Sequence, residues 1–232
     1  MTEILDEIFI KQPYYILYAA VVGVSIWKYP RYYDTPVRYL PILFMYTLLT
    51  EIIGIVIRED SEYSVMFSEF YYNNNWLIFN VYNLIFFGYL MYIYYWYLLS
   101  RRWKRIIEIG AIVFILTSLA NVFLEDFRVE SQLYSYTVGA LLMILLSAGY
   151  LIQEYPKRKE VPFWRNLLVW LSIGILIFYA GYLPIKYIRH LIMNQIMDPV
   201  PVIGPIHHSL ILFMYGAFLA GFLLMVRMRK VV

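Results

Sequence analysis

The sequence predicts an all-α integral membrane protein with seven transmembrane helices, its N-terminus outside and its C-terminus inside. Three observations lead there. The composition is 62% hydrophobic and 20% aromatic but only 15% charged, with a mean hydropathy of +0.63, and such a chain prefers a bilayer to water. Seven apolar runs, each close to the ~20 residues that a ~30 Å hydrocarbon core requires, follow one another along the 232 residues and are bounded by charge. The basic residues concentrate in alternate connections. Cysteine is absent, which excludes a disulfide scaffold and a thiolate metal cluster, and the hydrophobicity excludes intrinsic disorder.

The N-terminal segment Met1 to Gln12 has no basic start and no small-residue cleavage site, and carries Glu3, Asp6 and Glu7, so it does not read as a signal peptide. Its Ile4, Leu5, Ile8 and Phe9 recur at helical spacing, which predicts an amphipathic helix on the outer surface. Residues 13–230 then form a single domain of seven spans. The first runs from Tyr14 to Trp27 or Tyr29, the second from Tyr39 to Ile57, the third from Trp76 to Leu99 and the fourth from Ile106 to Leu124. The fifth is Leu133 to Ile152, the sixth Trp164 to Ile185 and the seventh His208 to Val226. Two connections are long, Arg58 to Asn75 and Tyr187 to His207. The second includes the stretch DPVPVIGP (198 to 205), where proline opposes regular helix.

Orientation follows from Lys and Arg. Lys28, Arg31 and Arg38, then Arg101, Arg102, Lys104 and Arg105, then Lys157, Arg158, Lys159 and Arg165, and finally Arg227, Arg229 and Lys230 make up 14 of the 19 basic residues. All four groups fall on the side that the positive-inside bias makes cytoplasmic. The opposite side holds five basic and 11 acidic residues. The net charge of +3 is therefore what remains of a dipolar topology, and no nucleic-acid partner is expected. The run RRWKR (101 to 105) serves topology, with anionic-lipid docking as the alternative. Tyr14, Tyr15, Trp27, Tyr29, Trp76, Trp103 and Trp164 flank the spans as an interfacial belt.

Polar residues inside the spans gather toward the outer side. An acid at mid-span costs roughly 2.5–3.5 kcal/mol, so it is seldom kept without a partner or a task. Glu51 is such an acid, with Thr47 one turn away on the same face. The third span supplies Asn80 and Asn83, the fourth Asn121 with Thr117 and Ser118, the sixth Tyr179, Tyr182 and Lys186, and the seventh His207, His208 and Tyr215. Together they predict an outward-facing polar cavity, sealed on the cytoplasmic side by residues such as Phe87, Tyr94 and Leu224. Glu51, Asn80, Asn83, Asn121, Tyr182, Lys186, His207 and His208 are the candidate ligand-binding residues, and Glu51 with Lys186 is a candidate ion pair. Interhelical hydrogen-bonding is the competing role for each amide and hydroxyl. Glu108, just after RRWKR, is explained by the dipole of the fourth helix and the neighbouring arginines.

Catalytic and metal chemistry find less support. There is no HExxH, HxxxH or GxSxG, so no metal site, cofactor or serine triad is expected. The tyrosine-rich run GYLMYIYYWYLL (88 to 99) reads as core packing. The last span holds no lysine for a retinal Schiff base, and the sequence shows no convincing three-helix repeat of the sugar-transporter kind.

On NNNWLIFNVYN (73 to 83), IGILIFYAGYLPIK (173 to 186) and the overall loop pattern, the whole chain resembles an uncharacterised group of bacterial, Bacteroidetes-type seven-helix inner-membrane proteins. The resemblance implies a fold and a source, and no activity. The expectation for function is a receptor-like or sensory module. It binds a small polar or amphiphilic ligand in the outer cavity and acts through a separate cytoplasmic or membrane partner, with Gly181 and Pro184 as a flexing point. A small-solute transporter, a lipid-modifying enzyme and a non-catalytic assembly subunit are the alternatives.

Overall fold

The computed structural model describes residues 14–59, 76–128, 130–156 and 162–228. The expected outer helix at 1–12 and most of the 58–75 connection lie outside the described residues. Those described are helical and contain no strand. In chain order the helices are α1 (Tyr14–Lys28), α2 (Leu40–Glu59), α3 (Trp76–Tyr97), α4 (Arg101–Leu124), α5 (Leu133–Glu154), α6 (Leu167–Met193) and α7 (Ile203–Leu224). Six stretches, one in each of α2 to α7, are long and apolar enough to cross a membrane. Helix α1 has 15 described residues, about 22 Å of helix at ~1.5 Å per residue, somewhat short of a full span.

Neighbour relations show why the helices are not equivalent. Helices α1, α2, α3, α5, α6 and α7 touch in that order and α7 returns to α1, closing a ring of six. Helix α4 packs outside it, against α3 and α5. Its apolar window is 22% buried, against 50% for α5 and for α6. A helix that is apolar all round yet mostly uncovered by protein suits a lipid-facing position.

Several boundaries differ from expectation, each for a local reason. Helix α4 starts at Arg101, not Ile106, because the Ser100 hydroxyl caps it by accepting the Arg102 amide at 3.2 Å. Glu108 therefore lies two turns into the helix, where it accepts from the Tyr95 hydroxyl at 3.2 Å. Asn166 caps α6, its Oδ1 accepting the Leu168 amide at 3.0 Å. Helix α6 runs through Pro184 to Met193, two turns beyond Ile185, and ends where Gln195 takes a positive φ of 57°. Helix α7 begins at Ile203 rather than His208 and takes Pro205 into its first turn, where the missing proline N–H costs no helical hydrogen bond.

One end of the bundle holds the basic connections. The Gln153 side chain accepts the Leu99 amide and donates to Tyr97 O, both at 3.0 Å. The amide of Val226 reaches Arg165 O at 3.2 Å and that of Met228 reaches Arg31 O at 2.9 Å. Arg31 also donates to Met225 O at 2.6 Å, and Arg227 lies 3.8 Å from Asp34. Arg31, Arg165 and the 225–228 stretch, from three of the basic segments expected on one side, are thus joined at this end, and the turn before Arg101 is tied to α5.

Above it the ring is filled by an aromatic core. Phe44, Phe87, Tyr94, Phe218 and Phe222 are all buried. Leu224, expected in this seal, is 49% exposed, and Phe222, two residues earlier on the helix face that points inward, fills the place. The Tyr94 hydroxyl meets Ser147 at 2.8 Å and Ser172 at 3.0 Å, tying α3, α5 and α6 at one buried point. Helices α6 and α7 approach closely at small residues. A Cβ on Gly221 would meet Trp170 Cβ at 2.7 Å, and one on Gly181 would meet a Leu210 methyl at 2.8 Å. Gly181 thus serves contact with α7, within a helix that is continuous through Pro184.

Candidate functional site

At the end opposite the basic connections, the six ring helices leave a cavity of about 410 Å³. Helix periodicity explains how they fill its wall. On α6, Phe178, Tyr179, Tyr182, Lys186 and Arg189 recur at three- and four-residue steps, so one stripe of that helix faces the cavity. Helix α2 contributes Thr47 and Glu51 one turn apart, and α7 contributes His207, His208, Ile211, Met214 and Tyr215. Helices α1, α3 and α5 add Tyr14, Tyr15, Tyr18, Trp76, Tyr82, Asn83 and Tyr136. Tyr14, Tyr15 and Trp76, expected in the interfacial belt, are cavity residues, because α1 and α3 turn these faces inward. Trp27 and Trp164, 66% and 57% exposed, keep positions suited to a belt.

The lining is organised rather than simply polar. Tyr182 stacks on His207 with ring centres 4.3 Å apart and on Phe178 at 5.2 Å. The Arg189 guanidinium donates to His207 Nδ1 at 3.2 Å, which makes His207 a neutral ring with its proton on Nε2. Tyr18 packs edge-on against Tyr215 at 4.2 Å, and Tyr14 lies 5.2 Å from His208. Thr47 Oγ1 donates to Leu43 O and meets the Tyr82 hydroxyl, both at 3.0 Å. The Glu51 carboxylate acts electrostatically on Tyr18, Tyr82, Tyr182 and Tyr215. Buried Lys186 donates to the Ser131 hydroxyl and faces the Tyr136 and Trp76 rings at 4.6 and 5.1 Å.

Six of the eight candidate residues, Glu51, Asn83, Tyr182, Lys186, His207 and His208, line this one cavity. Asn80 and Asn121 do not. Asn80 Nδ2 donates to Phe127 O at 2.9 Å and to Glu130 O at 2.8 Å. Asn121 Nδ2 donates to Glu125 Oε2 at 2.5 Å, and its Oδ1 accepts the Ser135 amide at 3.0 Å. Glu125 Oε2 also accepts the Leu133 amide at 2.8 Å. These groups satisfy the backbone of the connection before α5 and the first-turn amides of α5. Thr117 and Ser118 bond back to carbonyls of their own helix. Since α4 lies outside the ring, its Thr117, Ser118 and Asn121 do not line the cavity.

The sequence reading missed Arg189. Ending the sixth span at Ile185 placed Arg189 in a connection, whereas the Tyr182, Lys186, Arg189 stripe signals continued helix. Lys186 and Arg189, with Trp76 and Tyr182, also border a second cavity of about 340 Å³ toward the 125–133 connection. Among the described residues no three His, Asp or Glu side chains are grouped so as to hold a metal ion. Against known protein families, curated proteins and solved structures, the chain gives no match.

Proposed function

We propose that this chain is a receptor-like or sensory membrane module that binds a small polar or amphiphilic ligand in the 410 Å³ cavity and acts through a separate partner. The observation that carries this reading is convergence. Six helices of the ring send a carboxylate, two cations, two imidazoles and many phenols into one space, whose size lies in the ~300–1,000 Å³ range of ligand pockets. Aromatic walls with a few polar groups select a ligand of modest size that has both an apolar body and a charged or hydrogen-bonding part. The opposite end is packed with buried aromatic rings, a better floor for a binding site than for a transport path.

The rest of the proposal concerns placement. Under the positive-inside bias the joined basic end faces the cytoplasm, the cavity faces outward, α1 completes a seventh span, and the chain starts outside and ends inside. The proposed location is a bacterial inner membrane, a reading whose support is the sequence resemblance to the Bacteroidetes-type group. Ligand binding can only bias a conformational equilibrium, so a cytoplasmic or membrane partner reads it at the basic end. Gentle purification from native membranes, with mass spectrometry of what accompanies the chain, tests ligand and partner together. A small molecule that stays with the wild type supports the reading. Uptake of a labelled solute into vesicles, lost in Glu51→Gln, would replace it with transport.

A further inference from the structure

The chemistry of the ligand can be narrowed, on the premise that the cavity binds one. Lys186 and Arg189 stand one turn apart on α6 and border both cavities. Lys186 is only 7% exposed, and its ammonium is directed at the Ser131 hydroxyl and two ring faces. Arg189 gives one N–H to His207, and a guanidinium has about five. Glu125, whose Oε2 accepts from Asn121 and the Leu133 amide, acts on Lys186 electrostatically and with Glu130 borders the second cavity. On the side of the larger cavity the described Lys, Arg and carboxylate side chains are Lys186, Arg189 and Glu51. Cations held partly out of water on that side favour an anion that joins them there.

We infer that Lys186 and Arg189 form an anion subsite for the monoanionic oxygen headgroup of an amphiphile, whose apolar or aromatic body lies against Phe178, Tyr179, Met214 and Tyr215. The shared chemistry is a phosphodiester, carboxylate or sulfonate oxygen. It can arrive on a membrane lipid or on a soluble amphiphile.

The full chain in phosphatidylcholine nanodiscs, titrated with octanesulfonate, octanol or octyltrimethylammonium and read by its thermal midpoint, tests this. Nanodiscs containing phosphatidylglycerol supply the lipid arm. A saturable rise with octanesulfonate or with phosphatidylglycerol, but not with the neutral or cationic probe, supports the subsite, and the responding arm identifies the source. Arg189→Gln and Lys186→Met should each weaken that response roughly tenfold or more, as loss of a charged hydrogen bond does. Lys186→Arg should retain it, and Arg102→Gln at the basic end should leave it unchanged. Should Lys186→Met not fold, half-buried Arg189 carries the test. Stabilisation by octyltrimethylammonium alone, or an anion response that persists in Arg189→Gln, overturns the subsite while ligand binding stands. Absence of any anion response also overturns it. If native protein carries no small molecule either, the binding proposal falls with it.

Discussion

Tyr94 shows how much a single buried hydroxyl can be asked to do. It reaches Ser147 and Ser172 from a third helix, so Tyr94→Phe leaves two serine hydroxyls of α5 and α6 without that partner. Loss of a buried hydrogen bond costs about 1–3 kcal/mol, and a thermal melt in detergent should register it with no change in ligand binding. Asn121→Ala removes the group that holds both Glu125 and the first turn of α5. A comparable destabilisation of about 1–3 kcal/mol is expected, with faster proteolysis of the 125–132 connection as its local sign. The sequence revealed that these residues are polar and face one side of their helices. It did not reveal their partners, because Asn80 and Asn121 bind backbone atoms of a connection, and no periodicity marks those.

Helix periodicity located the elements well and their ends less well. The apolar runs of α2, α3 and α5 were legible because charge or turn residues bound them. The continuation of α6 past Ile185 was not, since the charged Lys186 and Arg189 end the apolar run there although the helix goes on to Met193. The peripheral place of α4 was also hidden: every span is apolar, and hydropathy does not separate a lipid-facing side from one that faces other helices. The chain has no cysteine, so one introduced cysteine reports alone. A fluorophore on Leu116→Cys, on the outer face of α4, should be quenched strongly by brominated lipid, and one on Leu146→Cys, buried in α5, only weakly. The α6–α7 contact makes a second prediction. Gly221→Leu places a side chain where Trp170 already lies 2.7 Å from a Cβ position, and overpacking of this kind costs about 1–3 kcal/mol or more, readable as a lowered midpoint.

At the scale of the whole molecule, the basic connections and the cavity occupy opposite ends, a separation already visible in which connections carried most of the Lys and Arg. The cavity was legible as a polar layer from Glu51, Asn83, Tyr182, Lys186, His207 and His208, whereas its tyrosine walls were hidden among 25 tyrosines that a membrane protein also places at its interfaces. Orientation has its own test. In intact cells, Asp198→Cys should react with an impermeant maleimide, and Lys104→Cys should react only after permeabilisation. The central proposal is that a small molecule occupies the cavity, and alkylation of Asn83→Cys addresses it most directly. The expected result is slower modification by a small maleimide when native membrane extract is present, with Ile109→Cys on the outer face of α4 unaffected. Equal rates for Asn83→Cys with and without extract would mean that the cavity does not hold the ligand.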